Sequence, residues 1–453
     1  MTKRPALFII AFAVLAAAGC GDAYQPPLPD RGQLHYPVGQ TLHPNGRYLY
    51  VVNSNFNARF QPDSGGTVAV IDTRTLEIQK ERSPFLPSFG GAIELNDDAS
   101  RAYVTARQDN TLVSFRVAGP QSNAPAGGAL YCLDEEGNPT SNPAPCSLQK
   151  VSTNGETARL GTDPFGLAVT TVRRDDPGTE TEEKVPVDLV NLSYLGSEQV
   201  TTVSLPDRDL SAASMATAAL VRGGNRIVQR PGSLSYYVAG RDTNVVARFS
   251  PFVNFREKGS FGEVQALFQQ GRIPLSNFSS RQGGSVAADA RGLAFDDAGE
   301  RLFVATRQPD ALHVFNLVAE DRETGEGLAH AWAGSVPLPD NPSDILYHED
   351  PRGRPRLYIP SFADNTVSVV DPEGLTVLGT IELNASPHEI VVDTADDRCR
   401  QPGDTCRAYV TLFNDPPDGV DKCGPDTEGC GSLAIIDLDP ASARFHRVIR
   451  KIE

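Results

Sequence analysis

The chain has 453 residues, with 41 Lys and Arg against 57 Asp and Glu and a net charge of −16. That balance weighs against nucleic acid as a partner, because phosphate binding needs the opposite sign; it equally suits the solubility of an exported protein. Beyond the first residues, no stretch is apolar over the roughly 20 residues that a membrane-spanning helix requires.

The N-terminus sets the expected compartment. Lys3 and Arg4 precede an uncharged run from Pro5 to Ala18, long enough for the core of a signal peptide and too short to span a bilayer. The run closes on Leu15-Ala16-Ala17-Ala18-Gly19-Cys20, which resembles the lipobox of bacterial lipoproteins, with Ala17 where such motifs usually carry Leu. The resemblance implies cleavage after residue 19 and lipid on Cys20, whose several acyl chains anchor stably where one would not. An ordinary secretory leader with a chance cysteine is the other reading. Gly21 rather than Asp follows Cys20 and leans toward the outer membrane. Cleavage removes Lys3 and Arg4, leaving 39 basic residues against 57 acidic ones, a charge of −18. Residues 20–35 then read as a Pro/Gly/Asp-rich tether and residues 36–453 as one domain.

Without Cys20, six of the seven cysteines remain, in three close pairs: Cys132 with Cys146, Cys399 with Cys406, and Cys423 with Cys430. Local disulfides are the simplest reading in an oxidising compartment, although sequence alone leaves the connectivity open. A metal site is the rival, and there is no Cys-x-x-Cys to favour it. No cofactor is expected, since the chain lacks a phosphate loop, a dinucleotide fingerprint, a haem-attachment motif, a zinc helix or a nucleophile elbow.

From Tyr36 onward one unit recurs: an apolar segment, a turn, a Tyr/Phe-Val strand, a polar loop and a second strand ending in Asp. In chain order the strand pairs are Arg47–Asn53 with Thr67–Asp72, Arg101–Thr105 with Asn110–Phe115, and Val187–Asn191 with Val200–Val203. Then come Tyr236–Ala239 with Asn244–Phe249, Leu302–Thr306 with Leu312–Phe315, Arg356–Pro360 with Asn365–Asp371, and Arg407–Thr411 with Leu433–Asp437. The third and fourth copies are degenerate. Short β-branched and aromatic segments bounded by turn residues indicate antiparallel strands. Seven units near 50 residues each point to a seven-bladed β-propeller, in which each blade buries its faces against its neighbours. Phe445–Ile452 alternates like an outer strand of the last blade. The ring should close by contact of the first and last blades, with help from the segment before Tyr36.

These copies resemble the YVTN family of β-propellers. Thr366–Asp371 and Thr67–Asp72 match its Thr-Val-Ser-Val-Ile-Asp strand, while Tyr103–Thr105 and Tyr409–Thr411 match its Tyr-Val-Thr-Asn strand. The resemblance covers nearly all of residues 36–453 and implies the fold, not an activity. Long stretches at Pro120–Leu148, Val172–Lys184, Pro206–Pro231 and Phe252–Ala287 depart from it and read as loops.

In a blade, the start of the innermost strand and the end of the second lie on the same face of the disc. Arg107, Arg241 and Arg307 end second strands and Arg291 starts an inner one, so the four can make a cationic mouth for a carboxylate or phosphate. The plainer reading pairs Arg107, Arg241 and Arg307 with their own loop carboxylates, Asp109, Asp242 and Asp310. Asp344, His388 and Glu389 share a register on adjacent blades, as a weak metal or acid–base set or simply as structural groups.

The sequence therefore supports a lipid-anchored binding or scaffold module of the cell envelope, meeting a protein, a glycan or a small anionic ligand. The alternative is a lactonase-like or quinoprotein-like propeller enzyme with its site at the channel rim. A third reading is an accessory to another envelope machine.

Overall fold

The computed structural model describes residues 26–453, apart from 62–64, 88, 149, 154–155, 176–183, 220, 258, 276–286, 320–327, 396–397, 425–426 and 428. Cys20 and the leader lie outside the described residues. Seven sheets, each built on four antiparallel strands in sequence order, follow one another around a ring. The fold is a seven-bladed β-propeller. Among the described residues no helix is long and apolar enough to cross a membrane.

The strand pairs of the repeat become the second and third strands of each blade. Their near-continuous apolar runs follow from stacking, because successive side chains point to opposite faces and both faces are covered. In Tyr48–Asn53, Tyr48, Tyr50 and Val52 pack toward blade 2, while Leu49 and Val51 pack toward blade 7. The repeated tyrosines also tie blades together through their hydroxyls. Tyr103 donates to Asp188 of blade 3 at 2.7 Å, Tyr237 contacts His330 Nε2 of blade 5 at 3.0 Å, and Tyr358 contacts His446 Nε2 of blade 7 at 3.2 Å.

Three stretches that read as loops hold strands. Pro206–Pro231 contains Ser214–Ala219, the outer strand of blade 3, and Gly224–Gln229, the inner strand of blade 4. Phe252–Ala287 contains the long outer strand Val264–Pro274 of blade 4. Small residues in Ser214–Ala219 and the channel-facing Asn225 and Arg226 in Gly224–Gln229 hid those two strands. Pro120–Leu148 likewise carries Leu130–Leu133, the outer strand of blade 2.

Closure occurs where expected. Arg447–Ile452 pairs with Ser432–Asp437 as the outer strand of blade 7, so no blade is shared between the two ends of the chain. Pro37–Leu42 packs against Ser386–Val392, and Gln40 donates from its backbone to Glu389 at 2.6 Å and from its side chain to Tyr409 O at 2.9 Å. Leu34 is fully buried in the joint, so the fold begins slightly before the expected end of the tether. The three local disulfides form as paired in the sequence reading.

Candidate functional site

Nearly every inner strand breaks register at the same end. The irregularity falls at Val38, at Gly91–Ala92, at Phe165–Gly166, at Asn225, at Arg291 and at His388–Glu389 in blades 1, 2, 3, 4, 5 and 7. A bulge leaves its extra residue out of the ladder and re-aims its side chain. Here Val38, Phe165, Asn225, Arg291 and His388 turn into the channel mouth and line a cavity of about 350 Å³. The repeated distortion thus converts a structural repeat into a ring of individually chosen side chains.

A second ring comes from the residues at the ends of the second strands. Blades 2, 4 and 5 place Arg107, Arg241 and Arg307 there, blade 3 places Leu195, and blades 6 and 7 place Phe362 and Phe413. Phe56 of blade 1 joins the last two, with its ring centroid 5.1 Å from that of Phe413. The mouth is therefore two-sided, cationic on one arc and aromatic across blades 6, 7 and 1.

The four arginines expected at a common mouth do meet there, but most of them are already paired. Arg107 grips Asp163 of the following blade through Nε at 2.6 Å and Nη2 at 3.0 Å, not Asp109 as the plainer sequence reading had it. Its guanidinium also sits over Phe89 and Phe165, at 4.7 and 5.0 Å from their centroids. Arg291 pairs with Asp289 through Nε and Nη2, and Arg241 lies 3.5 Å from Asp242, as the plainer reading had it.

Arg307 differs. Its Nε donates to Pro342 O at 3.0 Å, while Asp310, its expected partner, accepts instead from the backbone of Asn341 at 2.8 Å. Among the described residues no carboxylate lies within ion-pair distance of Arg307. Burial, reinforced by the charge of Arg291, pushes it down to about 10, so it remains a cation at neutral pH and lacks a counter-ion.

His388 and Glu389 line the mouth, whereas Asp344 is buried beside it, so the three do not form one set. Both carboxylates hold Arg226, an inner-strand residue of blade 4 that sequence reading missed because its strand looked like a loop. Arg226 Nη2 lies 3.0 Å from Asp344, and Nη1 pairs with Glu389, whose other oxygen accepts from Gln40 N at 2.6 Å. Burial pushes the Asp344 carboxyl up, Arg226 opposes it, and the charge on Glu389 adds to the rise. His388 Nδ1 lies 2.6 Å from Val38 O. A carbonyl only accepts, so Nδ1 carries the proton. Burial, which outweighs the opposing hydrogen bond to Val38 and is joined by the nearby arginines, lowers this imidazole to about 4, leaving it neutral with an unprotonated Nε2.

Arg226 also ends the mouth cavity. A second cavity of about 500 Å³ lies on its far side, lined by Glu94, Asp297 and Tyr347 among others, and among the described residues Arg226 is the one that lines both. The clasped guanidinium thus lies across the channel between the two cavities. Elsewhere, His348 Nε2 lies 3.8 Å from Cys406 Sγ beside Cys399, the one group of potential soft metal ligands among the described residues. The two sulfurs are bonded to each other, which removes the thiolates that a metal needs.

No protein-family model matches the sequence, and no curated protein matches it either. Solved structures do match in fold. The periplasmic gluconolactonase of Pseudomonas aeruginosa is 16% identical, over 78% of this chain and 87% of its own, with a TM-score of 0.50. Sqt1 of Chaetomium thermophilum, solved bound to the N-terminus of the ribosomal protein L10, is 12% identical over 92% of this chain and 88% of its own, with a TM-score of 0.53. The likeness is one of fold.

Proposed function

We propose that this chain is a binding module of the bacterial envelope, tied to lipid through Cys20, whose channel mouth holds a small anionic ligand with an apolar body. The observation that carries the reading is Arg307, a half-buried guanidinium without a carboxylate partner at the edge of a phenylalanine-walled pocket. A buried charge without a partner is costly, and a ligand carboxylate supplies the missing partner. Phe362, Phe413 and Phe56 offer the apolar body a surface on the adjoining arc. A cavity of about 350 Å³ suits a small molecule or a short chain end.

A rim enzyme is the less supported reading. Acid–base work beside His388 needs a carboxylate free to exchange a proton, and Asp344 and Glu389 are both engaged with Arg226. The YVTN affiliation and the envelope address rest on the sequence motifs described above.

Two experiments test the proposal. In a thermal-shift panel of alkyl and aryl carboxylates, matched amines and neutral alcohols, only the carboxylates should stabilise the protein. Equal stabilisation by amines or alcohols removes the anion from the reading. For the anchor, cells fed labelled palmitate should label the wild-type protein and not Cys20→Ala, and an unlabelled, soluble wild-type protein would refute it.

A further inference from the structure

The mouth offers three different recognition groups at fixed places. Arg307 is a cation awaiting one negative charge. His388 presents Nε2, a hydrogen-bond acceptor, because Nδ1 is spent on the wall at Val38 O and the ring lines the cavity. Phe56, Phe362 and Phe413 form an apolar arc, with Phe56 more than half exposed at the rim.

We propose that the pocket reads the C-terminal residue of a peptide: its carboxylate on Arg307, its last amide N–H on Nε2 of His388, and its apolar side chain among Phe56, Phe362 and Phe413. This deepens the anion-binding reading and rests on it. Few common groups combine a single negative charge, an adjacent N–H donor and an apolar branch on the same carbon; the last residue of a polypeptide does.

The competing anions fit less well. A phosphate dianion brings two charges to a pocket where Arg107, Arg226, Arg241 and Arg291 already face carboxylates, and only Arg307 is left to answer. A fatty or aryl acid meets the cation and the apolar arc but has no donor for Nε2, and so leaves that acceptor unpaired. The neutral state of His388 matters here. A charged imidazolium would donate, not accept, and would favour the ester oxygen over the amide N–H, the reverse of what a neutral ring predicts.

Arg226, held across the channel by Asp344 and Glu389, favours entry of a chain end over a continuous strand. The strongly acidic chain, at −16, selects against acidic peptides in the approach. The preferred ligand is therefore a neutral or basic peptide that ends in an apolar residue with a free carboxylate.

The test uses a fluorescently labelled acetyl-Ala-Lys-Ala-Leu and two chemical variants, titrated by anisotropy against the full mature protein. One variant carries a C-terminal amide, and the other replaces the last N–H by an ester oxygen. The free acid should bind, and the amide should bind at least about 10-fold more weakly because a charge-assisted contact is lost. The ester should lose about 5-fold on wild type and nothing further on His388→Phe, which keeps the ring packing against Phe165 and Phe413 but has no acceptor. His388→Gln, which keeps an acceptor, serves should His388→Phe fail to fold, and it should restore part of the discrimination. If the ester and the peptide acid bind equally to wild type while simple alkyl acids also bind, the peptide-terminus proposal is overturned and the anion reading stands. If no carboxylate of any kind binds, both fall.

Discussion

Arg226 of blade 4 and Glu389 of blade 7 form an ion pair across the central channel, and Asp344 of blade 6 completes the clasp. Three blades that are not all neighbours are thereby joined at one point. Asp344 and Glu389 are only 1% and 6% exposed, so the guanidinium is what makes their burial tolerable.

Removing that guanidinium should be costly. Arg226→Leu should lower the unfolding free energy by about 3 kcal/mol in chemical denaturation, because it strands two carboxylates. Combining it with Asp344→Asn and Glu389→Gln should recover part of the loss. An Arg226→Leu protein of wild-type stability would show that the clasp is ornamental.

Glu94 gives a pH signature. It lies in the channel below Arg226, where burial first and then the charge of Glu389 raise it to about 8, with Arg226 opposing and Asp344 adding. A carboxyl raised in the folded state binds its proton more tightly there than when unfolded, so its burial costs nothing near pH 4 and destabilises progressively as pH climbs toward 8. Glu94→Gln should thus gain on wild type as pH rises, by about 1 kcal/mol or more between pH 5 and 8. Parallel stability–pH curves for the two proteins would contradict the assignment.

Two arginines of the mouth should respond in opposite directions. Arg107→Gln loses a bidentate contact to Asp163 and two aromatic faces, and should cost about 1–2 kcal/mol. Arg307→Gln removes a half-buried charge with no carboxylate partner, and should leave the melting temperature unchanged or raise it. Differential scanning calorimetry reads both. A large loss on Arg307→Gln would mean that the guanidinium is structural.

The disulfides close loops of different size, with sequence separations of 14 for Cys132–Cys146 and 7 for each of the other two. On chain-entropy grounds, replacing the first pair by Ala should cost about 3 kcal/mol and each of the others about 2. Urea titrations of the three double variants check the order, and equal losses would argue against an entropic origin.

The parts of this molecule that were legible in its sequence are those where one physical cause dominates. Tyr48–Asn53 and Thr366–Asp371 are buried on both faces, so they read as apolar runs whatever surrounds them. The mouth was partly legible as well. Strand polarity alone brings Arg107, Arg241, Arg291, Arg307, His388 and Glu389 to one rim, and they are there. Gly224–Gln229 was not legible: Ile227 is its one buried large apolar residue, and Asn225 and Arg226 belong to the channel. Losing that strand lost Arg226, and with it the reason that Asp344 and Glu389 are buried. The partner of Arg107 was also hidden, because Asp163 arrives from the next blade, at a distance in sequence that no local pattern records.

Everything functional here turns on Arg307 as an unfilled anion site. Calorimetric titration of wild type and Arg307→Gln with one apolar carboxylate, such as 4-phenylbutyrate, measures this most directly. The account predicts one saturable site on wild type, weakened at least about 10-fold in the variant. No binding to wild type, or the same affinity in both proteins, would contradict it.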